Sequence, residues 1–195
     1  MSMWVGPVIL LAVVLVIVVI ILATRLAARR RQSQQLHATF GPEYDRAVSQ
    51  HDGSRSEAEA DLVARREHVQ SLNIRPLSQA DRTRYEESWR ATQARFVDEP
   101  IVATAEADRL VADLMRARGY PVRDFEQRAA DISVNYPNVV SNYRAAHAIS
   151  VASAQGKAST EDLRTAMIHY RALYDELLET STNEQPESER MEIGR

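Results

Sequence analysis

The first 24 residues of this 195-residue chain carry no charged side chain, and Val8–Ala23 is an unbroken apolar run dominated by Val, Ile and Leu. Lipid offers a backbone no hydrogen bonds, so a segment that enters it must pair its own N–H and C=O groups, as a helix does. As a helix, Met3–Ala23 spans about 31 Å, against a hydrocarbon core of about 30 Å. Trp4 stands at the outer edge, where an indole prefers the headgroup layer, and Pro7 falls in the first turns, where a missing N–H is tolerated. The sequence therefore predicts a transmembrane anchor over residues 1–24. A cleaved signal peptide fits less well, because no Lys or Arg precedes the run, the apolar stretch is longer than the roughly 7 to 15 residues of such a peptide, and the exit reads Ala23-Thr24-Arg25-Leu26-Ala27-Ala28.

The first charges are Arg25, Arg29, Arg30 and Arg31. Basic residues flanking a span stay in the cytoplasm, which predicts a single-pass protein of the cell membrane with its helical domain inside. Export of the domain is the alternative. These arginines, together with Trp4, are the residues expected to meet membrane lipid, as a topogenic stop and as partners of anionic headgroups. Residues 32–195 hold 20 basic and 27 acidic side chains, a formal charge of −7. Phosphate backbones need a basic face, so no nucleic acid partner is expected. Cysteine is absent, which excludes disulfides, thiolate zinc sites and cysteine nucleophiles.

After Thr24, 25 of the 67 hydrophobic residues are alanine, and long segments lack Gly and Pro, a composition that favours helix. Breakers at Gly41-Pro42, Gly53, Pro76, Pro100, Gly119 to Pro121, Pro137, Gly156 and Pro186 divide the chain into helices of ordinary length. Pro42 suits a first helical position. Ser56 and Glu59 read as a capping box before Leu62, Val69 and Leu72. Ser78 caps a helix with the stripe Tyr85, Trp89, Thr92 and Phe96. The helix after Pro100 carries Val102, Ala105, Leu110 and Leu114, widened by Val111 and Met115, and Arg116 and Arg118 complement its C-terminus before Gly119. Asp124 caps a short helix with Phe125, Ala129 and Ile132. The next carries Val139, Val140, Tyr143, His147 and Val151, and the last, from Ser159 or Thr160, carries Leu163, Met167, Tyr170, Tyr174, Leu177 and Leu178. No alternating run is bounded by a hairpin signal. The expected fold is all-α: the N-terminal transmembrane helix, a basic juxtamembrane helix or linker over 25–39, a bundle of six or seven helices over 40–179, and an acidic tail over 180–195 with too little apolar surface to fold.

Motifs for chemistry are missing. The six glycines write neither a P-loop nor a G-x-G-x-x-G turn. No histidine has Glu or Asp three residues before it, which excludes the Glu-x-x-His pairs of di-iron bundles, and H-E-x-x-H and G-x-S-x-G are absent as well. No catalytic residue, metal ligand or cofactor is predicted, and the chain does not read as an enzyme. Asp124 and Glu126 diverge by about 200° on a helix, so they do not form an acid/base pair. The remaining candidate is a pocket of Tyr143, His147, His169 and Tyr170. If the last two helices fold back at Gly156, the two histidines approach one another and two imidazoles sense pH or hold a metal. A core histidine bonded to a neighbour is the simpler reading. Tyr85, Tyr143, Tyr170 and Tyr174, with Trp89, offer the lining of a pocket for an apolar ligand, although aromatic residues at helical spacing read first as ordinary packing.

Four stretches taken together, Phe40-Gly41-Pro42-Glu43-Tyr44, Ile74-Arg75-Pro76-Leu77-Ser78, Arg118-Gly119-Tyr120-Pro121-Val122 and Met167-Ile168-His169-Tyr170-Arg171, resemble a family of uncharacterised bacterial proteins. Its members carry one N-terminal hydrophobic segment and come from high-GC genomes. The 23 arginines against the single Lys157 suit that coding bias. The resemblance runs from about Phe40 to Leu178 and implies no activity, cofactor or catalytic residue. Anchor, absent catalytic spacing and acidic tail lead to the expectation of a membrane-anchored module that contacts a protein partner. A ligand-binding or sensory bundle is the alternative, and an enzyme with an unrecognised site comes third.

Overall fold

The computed structural model describes residues 5–183, and the side chains of 15–17 and 19–179. Among the described residues there are eight α-helices and no strand: α1 (Val5–Phe40), α2 (Pro42–Gln50), α3 (Arg55–Ser71), α4 (Gln79–Arg95), α5 (Pro100–Arg118), α6 (Phe125–Asn135), α7 (Val140–Ala154) and α8 (Thr160–Asn183). The expected all-α fold is thus observed, with seven helices after the first. Two compact units divide the chain, Met1–Thr39 and Phe40–Arg195.

The described residues of the first unit belong to a single helix, α1. Along it Leu15, Val16, Ile17 and Val19–Leu22 are about half exposed, and Arg25, Arg29, Arg30 and Arg31 are exposed. Among the described residues no helix is long and apolar enough to cross a membrane. Of the predicted span, residues 1–4, Trp4 among them, lie outside the described residues, as do the side chains of 5–14 and 18. The fold itself therefore lends the span no support.

In the second unit, local chemistry sets the helix ends. Ser78 Oγ accepts from the Asp81 N–H at 3.1 Å, and Asp124 Oδ1 from that of Gln127 at 2.9 Å. Ser159 and Asp162 form a reciprocal capping box, their backbone N–H groups donating to each other's side chains at 2.8 and 3.2 Å. Pro42 and Pro100 occupy first-turn positions. At the end of α5, Gly119 is left-handed with φ +98°, and a Cβ there would overlap the Asn73 carbonyl oxygen. This lets the chain before α4 pass close enough for the Arg75 N–H to donate to the Arg118 carbonyl at 2.9 Å.

Four helices build the core. α5 and α8 pack together, α4 lies on α5, and α7 lies on both α5 and α8. α8 supplies Leu163, Ala166, Met167, Tyr170, Leu173, Tyr174, Leu177 and Leu178, a repeat of threes and fours that keeps one stripe inward. α5 answers with Ala103, Thr104, Ala107, Val111, Leu114 and Met115, whose small members let its neighbours approach. The helices α2, α3 and α6 form a second layer: α2 packs on α3, α3 on α6, and α6 on α7.

Several expectations need correction. Ser54, not Ser56, stands at the cap of α3. Val102 and Ala105 are exposed, because the inward face at the start of α5 is set one residue further on, at Ala103 and Thr104. Val151 is likewise exposed. Arg118, read as a complement to the helix end, is fully buried; its guanidinium donates to the Tyr136 hydroxyl and, at 3.2 Å, to the Leu177 carbonyl. α8 continues to Asn183, past the expected start of the tail at 180; residues 184–195 lie outside the described residues.

Candidate functional site

Of the four residues expected to form a pocket, α7 and α8 bring Tyr143 and Tyr170 together. Both are fully buried, and their rings meet edge to face with centroids 6.2 Å apart. Burial pushes both phenols well above the ordinary value, so neither ionises in the working range. The Tyr170 hydroxyl lies 3.0 Å from Ser150 Oγ. Both tyrosines belong to the core, where Phe125 also packs on Tyr143.

His147 sits at the margin of this cluster, half-buried. Phe125 of α6 lies flat against it, centroids 3.6 Å apart and planes 7° from parallel, and also touches Tyr143 at 5.0 Å. His147 Nδ1 is 3.9 Å from Asp108 Oδ1 on α5, and Arg128 of α6 reaches the other carboxylate oxygen at the same distance. Both distances are too long for hydrogen bonds. Burial pushes the Asp108 carboxyl up, but His147 and the Arg128 charge outweigh it and hold it below its ordinary value. His169 is half-buried one position before Tyr170, and among the described residues no hydrogen bond, ion pair or ring contact joins it to His147. The imidazole pair is not formed.

Sequence reasoning missed a second polar constellation. Glu43 of α2, only 3% exposed, accepts from Arg65 of α3 at 3.3 Å and from Arg144 of α7 at 2.8 Å. Arg65 also binds Asp61 at 2.6 Å, and Arg144 binds Glu126 at 2.8 Å. Nothing in residues 42–45 marks Glu43 as buried, since its partners lie 22 and 101 positions away. Asp131 of α6 is 1% exposed, accepts from Gln127 at 2.8 Å and lies 3.6 Å from His68. Burial pushes its carboxyl up, partly offset by Gln127, His68 and two arginines. Arg118 was legible in principle: it continues the inward stripe of Val111, Leu114 and Met115 by one turn.

These clusters knit helices together, and among the described residues no group of three His, Cys, Asp or Glu could hold a metal ion. The openings lie at the surface. A groove of about 630 Å³ between α2, α6 and α7 is walled by Phe125, Arg144 and His147. A longer one runs between α4 and α8, in two parts of about 320 and 270 Å³ that share Gln93 and Arg171. No family model matches the chain, and no curated protein or solved structure matches it either.

Proposed function

We propose that the chain is a membrane-anchored helical module, with its helical unit on the cytoplasmic side, that acts by contacting a protein partner close to the bilayer. The tether is the uncharged N-terminal run. Its large apolar side chains Leu15, Ile17 and Leu22 are about half exposed on a single helix, a surface that calls for cover, and lipid is the cover the arginines beyond it favour. Trp4 and Arg25, Arg29, Arg30 and Arg31 are assigned to the lipid interface. The kinship with single-span bacterial proteins belongs to the same reading.

One observation carries the interaction role: Tyr143 and Tyr170 pack against each other in the core, whereas the grooves beside His147 and between α4 and α8 lie on the outside. A ligand sensor buries its ligand in a concave site with convergent polar groups. Here the large apolar residues left outside among the described residues of the second unit, Val97, Ile101, Val102, Val151 and Ile168, lie on the surface of the bundle. Tethering raises the local concentration of module and partner, so a weak contact suffices. The test is capture from detergent-solubilised membranes with the full chain, set against a chain in which Ile101 and Val102 are changed to Glu. Enrichment of one protein by the first and not by the second is the expected result. No enrichment by either, with a small molecule that raises the melting temperature, would replace this reading with the ligand-binding one, which the groove beside His147 favours.

A further inference from the structure

α4 and α8 each pack on α5 and run antiparallel along an open groove, whose two parts share Gln93 and Arg171. One part is balanced in charge, since Arg82, Arg90 and Arg171 line it together with Glu86, Asp175 and Glu179. The other is lined by Phe96, Met167 and Ile168 beside Arg164 and Arg171, and among the described residues no carboxylate lines it. To this groove α8 presents Arg164, Ile168, Arg171, Asp175 and Glu179, at steps of four, three, four and four, which make one stripe of a helix. Charge is segregated along the stripe: both arginines come first and both carboxylates last. Ile168, between the arginines, is 63% exposed.

We infer that this groove is where a second copy of the chain docks, α8 against α8 about a two-fold axis. A stripe that runs from basic to acidic repels its own copy when two such helices lie parallel and pairs with it when they lie antiparallel. A two-fold axis across the helix gives the antiparallel arrangement and repeats every contact. Two pairings fix the register: Arg164 with Glu179 of the second copy, and Arg171 with Asp175 of the second copy. The axis positions they demand differ by about 1.5 residues, or about 2 Å along the helix, so one register serves both. In that register Ile168 of each copy reaches the stretch from Asp175 to Leu178 of the other, beside the stack of Trp89 on Tyr174 at 4.7 Å. Each α8 then becomes the ridge that fills the other copy's groove, as helices pack. Within one chain Asp175 takes Arg171 at 3.2 Å and Glu161 takes Arg164, whereas Glu179 has no ion pair among the described residues. The second copy supplies Glu179 with a cation and joins the other pairs into a network. Ile101 and Val102, where contact with an outside partner is tested, line neither part of this groove.

The test is a charge swap, read by sedimentation equilibrium of the full chain in density-matched detergent. The unaltered chain should pass from monomer to dimer as its concentration rises. Arg164→Glu with Arg171→Glu, and in a separate chain Asp175→Lys with Glu179→Lys, should each weaken self-association about tenfold or more, because like charges then face each other across the axis. Mixed one to one, the two variants should regain the affinity of the unaltered chain, since every pair is again opposite in sign. That recovery also shows that both variants fold. A chain that stays monomeric overturns the proposal. So does a dimer that neither charge reversal weakens, which would assign the contact to another surface such as the apolar N-terminal run. A mixture that associates no better than its two components overturns it as well.

Discussion

Arg144 on α7 donates to Glu43 on α2 at 2.8 Å, a bond between residues 101 positions apart. The same carboxylate receives Arg65 of α3, so one buried Glu pins three helices across the boundary between the two layers.

Removing that carboxylate leaves two guanidiniums facing each other with little water. Glu43→Ala is expected to destabilise the full chain by about 3 kcal/mol in urea denaturation followed by circular dichroism. Arg144→Ala added to it should cost little more, because its bond to Glu43 is already gone and its remaining partner, Glu126, is exposed to water. Strictly additive losses would show that the two residues act separately.

Asp108 and Asp131 are expected to respond to the same change with opposite sign. Asp108 is held below its ordinary value of 3.8, so its contribution is present above that pH and is lost as pH falls through the folded value. Asp108→Asn should therefore destabilise at pH 7, with a gap that narrows in acid. Asp131 is pushed above 3.8, so its contribution is full in acid and is lost as pH rises through the folded value. Asp131→Asn should stabilise at pH 7, with a gain that vanishes in acid. Midpoints in urea at pH 7 and in acid well below 3.8 check both, and effects of one sign contradict the assignment.

Gly119 has two reasons to be glycine and Gly156 has one. Both are left-handed, but only at Gly119 would a Cβ meet another segment, the Asn73 carbonyl. Gly119→Ala is expected to cost about 2 kcal/mol or more, and Gly156→Ala about 1 kcal/mol. Thermal melts of the two variants rank them, and an equal loss would mean that the approach of Asn73 adjusts freely.

The four arginines after the apolar run, against none before it, predict an inward-facing domain. A reporter that fluoresces only in the cytoplasm, fused after Arg195, should be bright. Activity of an exported reporter at the same position would reverse the topology.

The sequence by itself determined where the helices of the second unit stop and start. Pro42, Ser78, Pro100, Gly119, Asp124 and Ser159 act through their own φ angles, missing N–H groups or side-chain oxygens, and these work within three or four residues of the chain. It also determined the inward stripe of α8, whose large residues leave one choice of face. Only the tertiary structure decided the rest. At the start of α5 the side chains are mostly small, so apolar pattern does not choose between Val102 and Ala103, and the neighbouring helices do. The burial of Glu43 and Arg118 depends on partners on other helices, and so does the separation of His147 from His169. Tyr143 and Tyr170 meet through the packing of α7 on α8, and Phe125 arrives from α6 to lie on His147 and Tyr143. Local chemistry sets an element's ends, whereas volume and charge become fixed only when several elements meet.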